Sequence, residues 1–170
     1  KRQSWYDCVK WCNARSEMEG LNPVYKIQVQ VYRSGEYGKE GSSLVTQNAE
    51  ANGYRLPTEA EWEWAARGGV ESRGYKFSGS DNLNEVGWFG ENSKGGTSPV
   101  GLKGRNEIDL YDMSGNVWEW CWDLNVTTRR IRGGSWSGTT GICRVSYRLN
   151  DYPDNRNPSN GLRLARSSGP

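Results

Sequence analysis

The first regular pattern along the chain is helical. Apolar residues recur at Trp5, Cys8, Val9, Trp11 and Cys12, the three- and four-residue spacing of one helix face. Ser4 with Asp7 three positions on makes a capping box and Gly20 a stop, so a helix is expected from Ser4 to Met18. From Val24 to Tyr32 the period becomes two, with Tyr25, Ile27, Val29 and Val31 alternating with Lys26, Gln28 and Gln30, which predicts one half-buried strand. Residues 33–50 are polar and turn-rich, and Asn52-Gly53 reads as a tight turn. A second helix follows, opened by Pro57 and Thr58, boxed by Glu61, stopped by Gly68-Gly69 and carrying Trp62 and Ala66 on one face. Residues 70–106 read as long loops, a length uncommon in a compact domain unless something organises it.

In the second half Trp118, Trp120 and Trp122 alternate within Leu110–Asp123, which predicts a buried strand. Further strands are expected near Arg129–Trp136, at Cys143–Leu149, where Cys143, Val145, Tyr147 and Leu149 alternate with Arg144, Ser146 and Arg148, and at Leu162–Ala165. Two polar loops, Ser137–Ile142 and Asn150–Asn160, separate them. The expected class is α+β, low in regular structure, with two main helices and short antiparallel strands. At 170 residues a single domain, 1–170, is expected.

Composition changes this picture in one respect and chemistry in several. Aliphatic residues are few, and nine Trp and nine Tyr take their place, so aromatic rings must supply most of the core. There is no histidine, which excludes a Ser-His-Asp triad, a His-ligated metal and a His general base. The formal charge is only +2, with no basic run, which argues against nucleic acid as a partner. No apolar stretch approaches the roughly 20 residues of a spanning helix, so no membrane insertion is expected. The chain opens on Lys1 directly before a helix signal, and reads as a fragment or processed form. Cys8, Cys12, Cys121 and Cys143 make no CxxC pair and are expected to be small buried hydrophobes.

Four blocks in order are specific when taken together: NGYRLPTEAEWEWAARGG at 52–69, LYDMSGNVWEWCWD at 110–123, RGGSW at 132–136 and GLRLAR at 161–166. They resemble the formylglycine-generating-enzyme (sulfatase-modifying-factor) family, and SWYDCVKWCNARSEMEGLNPVY looks like its first helix, so the match spans the chain, less an N-terminal part of the family domain. The resemblance implies a C-type-lectin-like fold. Catalytic members oxidise a substrate cysteine with two cysteines that bind Cu(I) shortly after the GGS motif. Counting from Gly133-Gly134-Ser135, the second falls on Cys143 and the first on Gly138. One thiolate cannot replace a pair, so no copper, no enzyme activity and no catalytic residue are expected. The resemblance also implies a structural Ca²⁺ in DMSGNVWE, held by the carboxylates of Asp112 and Glu119 and the carbonyls of Gly115 and Val117, hard oxygen donors of the kind calcium takes. The alternative is that the two carboxylates merely cap turn amides.

Within the family the chain is more similar to the variable proteins of diversity-generating retroelements, in which a mutagenised C-terminal segment, with Asn (AAC) codons randomised at adenine, sits on a lectin-like scaffold. Here 132–166 is the corresponding region. Its positions 137–142, 149–152 and 157–160 read SGTTGI, LNDY and NPSN, all reachable from NNC codons, although an ordinary solvated loop has a similar composition. The expected ligand-binding set is Ser137, Gly138, Thr139, Thr140, Gly141, Ile142, Tyr147, Leu149, Asn150, Asp151, Tyr152, Asn157, Ser159 and Asn160. Trp136, Cys143, Val145, Leu162 and Leu164 would anchor the strands beneath, Tyr147 and Tyr152 would be the main contacts, and exposed Leu149 and Ile142 would favour a protein ligand over a sugar. The expectation is a monomeric, non-catalytic binding protein of the cell surface or periplasm, its ligand unknown. The alternatives are a formylglycine-generating oxidase using Cys143, an invariant lectin-like module, and calcium-dependent sugar binding.

Overall fold

The computed structural model describes residues 2–167. Helix α1 (Trp5–Met18) has both halves of its capping box: the Ser4 hydroxyl accepts from the Asp7 amide and the Asp7 carboxylate from the Ser4 amide. Helix α2 (Glu59–Ala66) is boxed in the same way by Thr58 and Glu61. Gly68 and Gly69, at φ +90° and +58°, end it in a conformation that side chains resist. A single turn, α3 (Leu83–Val86), interrupts the long central loops.

The strands are short. Strands β1 (Tyr25–Ile27), β2 (Gln30–Val31) and β3 (Val45–Gln47) form one sheet in the order β2-β1-β3. Strand β4 (Tyr54–Arg55) awaits a C-terminal partner, and β5 (Gly87–Trp88) runs parallel to β6 (Ser114–Gly115). The central sheet comprises β7 (Trp118–Asn125), β8 (Thr128–Arg132), β9 (Arg148–Asp151) and β10 (Asn160–Gly161), in the order β10-β7-β8-β9. Strand β11 (Ala165–Arg166) closes antiparallel on β4. Pairing of Trp120 with Ile131 and Ile131 with Leu149 puts these residues on one face; Glu119, Arg132 and Arg148 lie on the other. Helix α1 covers the first face and α2 the second.

The core between α1 and the sheet is a run of rings. Tyr25 stacks on Trp122 at 5.2 Å between centroids, Trp122 lies 5.5 Å from Trp5, and Trp5 meets Tyr6 edge-on at 5.5 Å. A buried cation sits among them. The Arg129 guanidinium lies 4.0 Å from the Trp5 ring centre and 4.8 Å from that of Trp122. It donates to the Ser42 carbonyl at 2.6 Å, the Ser42 hydroxyl at 3.2 Å and the Trp122 carbonyl. Burial lowers its pKa to about 10. Asn13, wholly buried on α1, accepts from the Tyr25 amide and donates to the carbonyls of Tyr25 and Tyr32, which fixes the first sheet to the helix.

Several expected elements are redrawn by these contacts. The strand expected over Val24–Tyr32 is a hairpin that turns at Gln28 and Val29, with Gln28 at φ +53° and Val29 87% exposed. Tyr32, not Val31, returns to the core because Asn13 binds both tyrosine carbonyls. Asn52-Gly53 is a close approach to α1 and the turn after it, where a Cβ on Gly53 would lie 2.5 Å from the Ser16 hydroxyl and 2.4 Å from the Asn22 carbonyl. The strand expected to Trp136 stops at Arg132, since Gly133 and Gly134 adopt φ +97° and +77°. That expected over Cys143–Leu149 begins only at Arg148; Cys143 ends a 3₁₀ turn, and the Val145 amide bonds the Lys76 carbonyl. Of the strand expected over Leu162–Ala165 only Ala165 is in one; residues 162–164 link β10, parallel to β7, to β11, antiparallel to β4. The central loops are organised by Asn106, whose side chain reaches the Ala65 carbonyl, Ser78, and the amides of Ile108 and Leu110.

Replacing Arg129 by Met would take the guanidinium donor from the buried Trp122 carbonyl and Ser42 hydroxyl and leave the Ser42 carbonyl with the Val45 amide alone. Urea unfolding should register a loss of about 3 kcal/mol, and a loss below about 1 kcal/mol would contradict this reading. On β4, Arg55 donates two 2.7 Å hydrogen bonds to Glu61 and holds its pKa below the usual value, so the stabilisation is present above the unfolded pKa and is lost as pH falls through the folded one. Glu61→Gln should therefore lose less stability than the wild type on acidification from about pH 5 to pH 3, and equal slopes would exclude that role.

Candidate ligand-binding face

The C-terminal loops are positioned from below by Arg132. Its side chain is fully buried, and its guanidinium bonds Glu63 at 2.6 Å, the Val145 carbonyl at 2.8 Å and the Tyr147 carbonyl. The 145–147 backbone is thereby held over α2, and the Tyr147 ring emerges 6.1 Å from that of Trp118. Arg156 ties the 153–158 loop to Asp7 and Glu36, and the Trp5 amide bonds the Pro153 carbonyl. Within the loops, Ser137 and Ser159 hydroxyls lie 3.5 Å apart, and Asp151 accepts from Asn160 at 2.8 Å and from Asn155. The three segments 137–142, 147–152 and 157–160 therefore share one region of the molecule.

Their side chains divide by burial. Ser137, Thr139, Thr140, Gly141 and Asn157 are exposed, as are Tyr147 at 37%, Leu149 at 42% and Tyr152 at 38%. Asn150 and Asp151 are half-buried, and Asn150 accepts from Arg130 at 2.7 Å. Ile142 is half-buried and packs against two core clusters, so it adds little open apolar surface. Gly138, Ser159 and Asn160 are buried and join the loops to one another and to the scaffold. Among the expected anchors, Cys143 and Val145 are buried, whereas Leu164 is 36% exposed. Lys39, from the loop after the first hairpin, lies 4.2 Å from the Tyr152 ring centre.

The thiols are inaccessible. All four cysteines are free and buried, and burial raises the Cys143 thiol to about 11. Gly134 has no room for a side chain, since a Cβ there would fall 2.6 Å from the Cys143 sulfur. At Gly138 a Cβ would lie 2.5 Å from Ile142 Cδ1, so Ile142 fills the space beside that position.

A separate cavity of about 480 Å³ is lined by Asp112, Gly101, Tyr111, Glu119, Leu162 and Arg163, among others. Asp112 takes φ +58° and accepts from the Gly101 amide through one oxygen; the other is buried without a partner. Glu119 is saturated: Arg163 donates to both oxygens, at 2.8 and 2.9 Å, and Trp62 to one at 2.7 Å. Among the described residues no three His, Cys, Asp or Glu side chains converge, so a cation here would depend on backbone carbonyls. The donors fit calcium at Asp112, whose orphaned oxygen is of the kind a cation satisfies, and Arg163 would have to yield Glu119.

Residues 3–168 match the model of the sulfatase-modifying factor enzyme 1-like domain. The chain belongs to this family. It is 38% identical, over a 194-residue alignment covering 98% of the chain, to a Paenibacillus barcinonensis protein named chaperone protein LppX, of which it spans 69%. It is 36% identical to the bovine (Bos taurus) inactive Cα-formylglycine-generating enzyme 2 over 69% of the chain and 45% of that protein. Enzymes named as formylglycine-generating are also among its relatives. Among solved structures it superposes on Treponema denticola variable protein 1 with a TM-score of 0.86 and 32% identity, over 98% of the chain and 70% of that protein.

In this sulfatase-modifying-factor domain the sequence pattern did not single out Arg132 or Arg129, the two cations beneath the C-terminal loops. The signal was present, because Arg129 lies two positions before the apolar Ile131, on the same face of β8, and Arg132 sits between Ile131 and the buried Gly133. The thiol environment gives a direct check. Ellman's reagent should label fewer than one thiol per native chain within minutes and four in denaturant; rapid native labelling of Cys143 would contradict the packing described.

Proposed function

We propose that this domain is a non-catalytic ligand-binding protein whose C-terminal loops form the recognition surface. The observation that carries the reading is the gathering of three separate segments, with Tyr147, Leu149 and Tyr152 outward, over a backbone fixed from beneath by Arg132 and the aromatic core. Rings with two rotatable bonds bury large area at small entropic cost, and Ser, Thr and Asn around them supply adaptable hydrogen bonds. The likeness to a variable protein supports a binding role, and a protein ligand suits exposed aromatic and aliphatic side chains better than a sugar does. The reading extends to a retroelement origin of the loop sequence and to a surface or periplasmic location. Resequencing the locus across related strains should find variation concentrated at exposed positions among 137–142, 147–152 and 157–160. Variation scattered evenly over the domain would exclude a diversified surface.

The oxidase reading is disfavoured by Gly138 and by Ile142 beside it. A copper titration with oxygen-consumption measurement on a cysteine-bearing peptide should show no turnover, and metal-dependent turnover lost in Cys143→Ser would reverse this assignment. A structural Ca²⁺ held by Asp112, Glu119 and the carbonyls of Gly115 and Val117 belongs to the same proposal. It would supply positive charge to the orphaned Asp112 oxygen. Millimolar CaCl₂ should raise the melting temperature of the wild type and leave that of Asp112→Asn unchanged; no shift in the wild type would remove calcium from the account.

A further inference from the structure

A second concavity lies away from the C-terminal loops. It is a cavity of about 600 Å³ between α2 and the β11 segment. Trp62 and Met113, each 1% exposed, form its floor. Trp64 on the helix and Leu164 on the chain leading into β11 wall it, 55% and 36% exposed. Tyr147 and Leu149 belong to the Trp118 face of the central sheet, whereas this cavity is on the α2 side. Apolar cavities of roughly 300–1,000 Å³ with a few polar groups at the rim are the usual shape of small-molecule sites.

The charges at the rim select the ligand. Arg55 is neutralised by Glu61 at 2.7 Å, and Arg163 by Glu119 at 2.8 Å. Arg166 uses only Nε, which donates to the Asn52 carbonyl at 3.0 Å, and it forms no ion pair among the described residues. The Glu19 carboxylate, itself paired with Arg15, lies near enough to feel the Arg166 charge but does not pair with it. An apolar pocket edged by a guanidinium with no ion-pair partner among the described residues complements a molecule with an apolar body and a single anionic head. The outward Trp64 and Leu164 side chains gain a reason for their positions, since a ligand chain would cover both.

We propose that the α2–β11 cavity binds a small apolar monoanion, a medium-chain carboxylate being the simplest example, with its hydrocarbon against Trp62, Trp64 and Leu164 and its carboxylate on Arg166. This site is independent of the loop surface and does not rest on the function proposed for it.

Calorimetric titration of the folded chain with octanoate and with octyltrimethylammonium, both below their micellar concentrations, tests the proposal. Octanoate should bind saturably at one site, about fivefold more tightly than the cation, as expected for one exposed charge interaction. Arg166→Gln should abolish that preference. Leu164→Asp, and Ala60→Trp to fill the cavity mouth, should each weaken octanoate at least about tenfold while the melting temperature confirms the fold, and Tyr147→Ala should leave it unchanged. Non-saturable binding, equal affinity for the two headgroups, or binding that survives both Leu164→Asp and Ala60→Trp would overturn it.

Discussion

The architecture depends on a buried cation held between aromatic rings. Arg129 is the second residue of the short strand β8, yet its guanidinium reaches Trp5 on α1, Trp122 on β7 and the 3₁₀ turn at Ser42. A charge taken out of water is costly unless its donors are satisfied and the surroundings are polarisable. Here two carbonyls, a hydroxyl and two indole faces provide that, and each contact fixes a different part of the chain relative to the sheet. A domain with few aliphatic residues and two main helices can keep a defined backbone because such contacts are directional. An oily core of the same volume would not specify where each loop leaves it.

Arg132 repeats the arrangement on the opposite face of β8. It is as buried as Arg129, but it faces α2 and holds Glu63 together with the carbonyls of Val145 and Tyr147. The consequence reaches function directly. The C-terminal loops are held from within by Arg132 on the Val145 and Tyr147 carbonyls and by side-chain contacts of Ser159 with Ser137 and of Asn160 with Asp151. Under the function proposed, the remaining exposed positions would differ in chemistry without a change in geometry. The same packing leaves no thiol pair: Gly138 and Ile142 occupy the neighbourhood of a buried Cys143.

Much of this was legible in the sequence where the signal is local. Both capping boxes, the glycine stops after α2 and the alternating tryptophans of β7 are set by residues within a few positions of one another, and they fall as expected. The four motif blocks pointed to the family that the comparisons show. The failures lie where a distant partner decides. Residues 24–32 alternate like one strand, but Asn13 binds the carbonyls at both ends of a hairpin. Residues 143–149 alternate too, yet Arg132 and the Lys76 carbonyl take the backbone groups a ladder would have used. At the candidate face, composition pointed to the loops, but it could not tell that Ser159 and Asn160 turn inward while Thr139 and Tyr152 turn out.

The central claim is that the aromatic and arginine framework specifies the loop backbone independently of the outward side chains. A library randomised together at Thr139, Thr140, Tyr147, Leu149 and Tyr152, with its members' thermal unfolding measured in parallel, tests it most directly. The account predicts that most members melt within about 5 °C of the parent, the displacement that roughly 1–2 kcal/mol produces in a domain of this size. A library in which most members fail to fold, or melt far below the parent, would show that the exposed side chains hold the loops up, and the claim would be wrong.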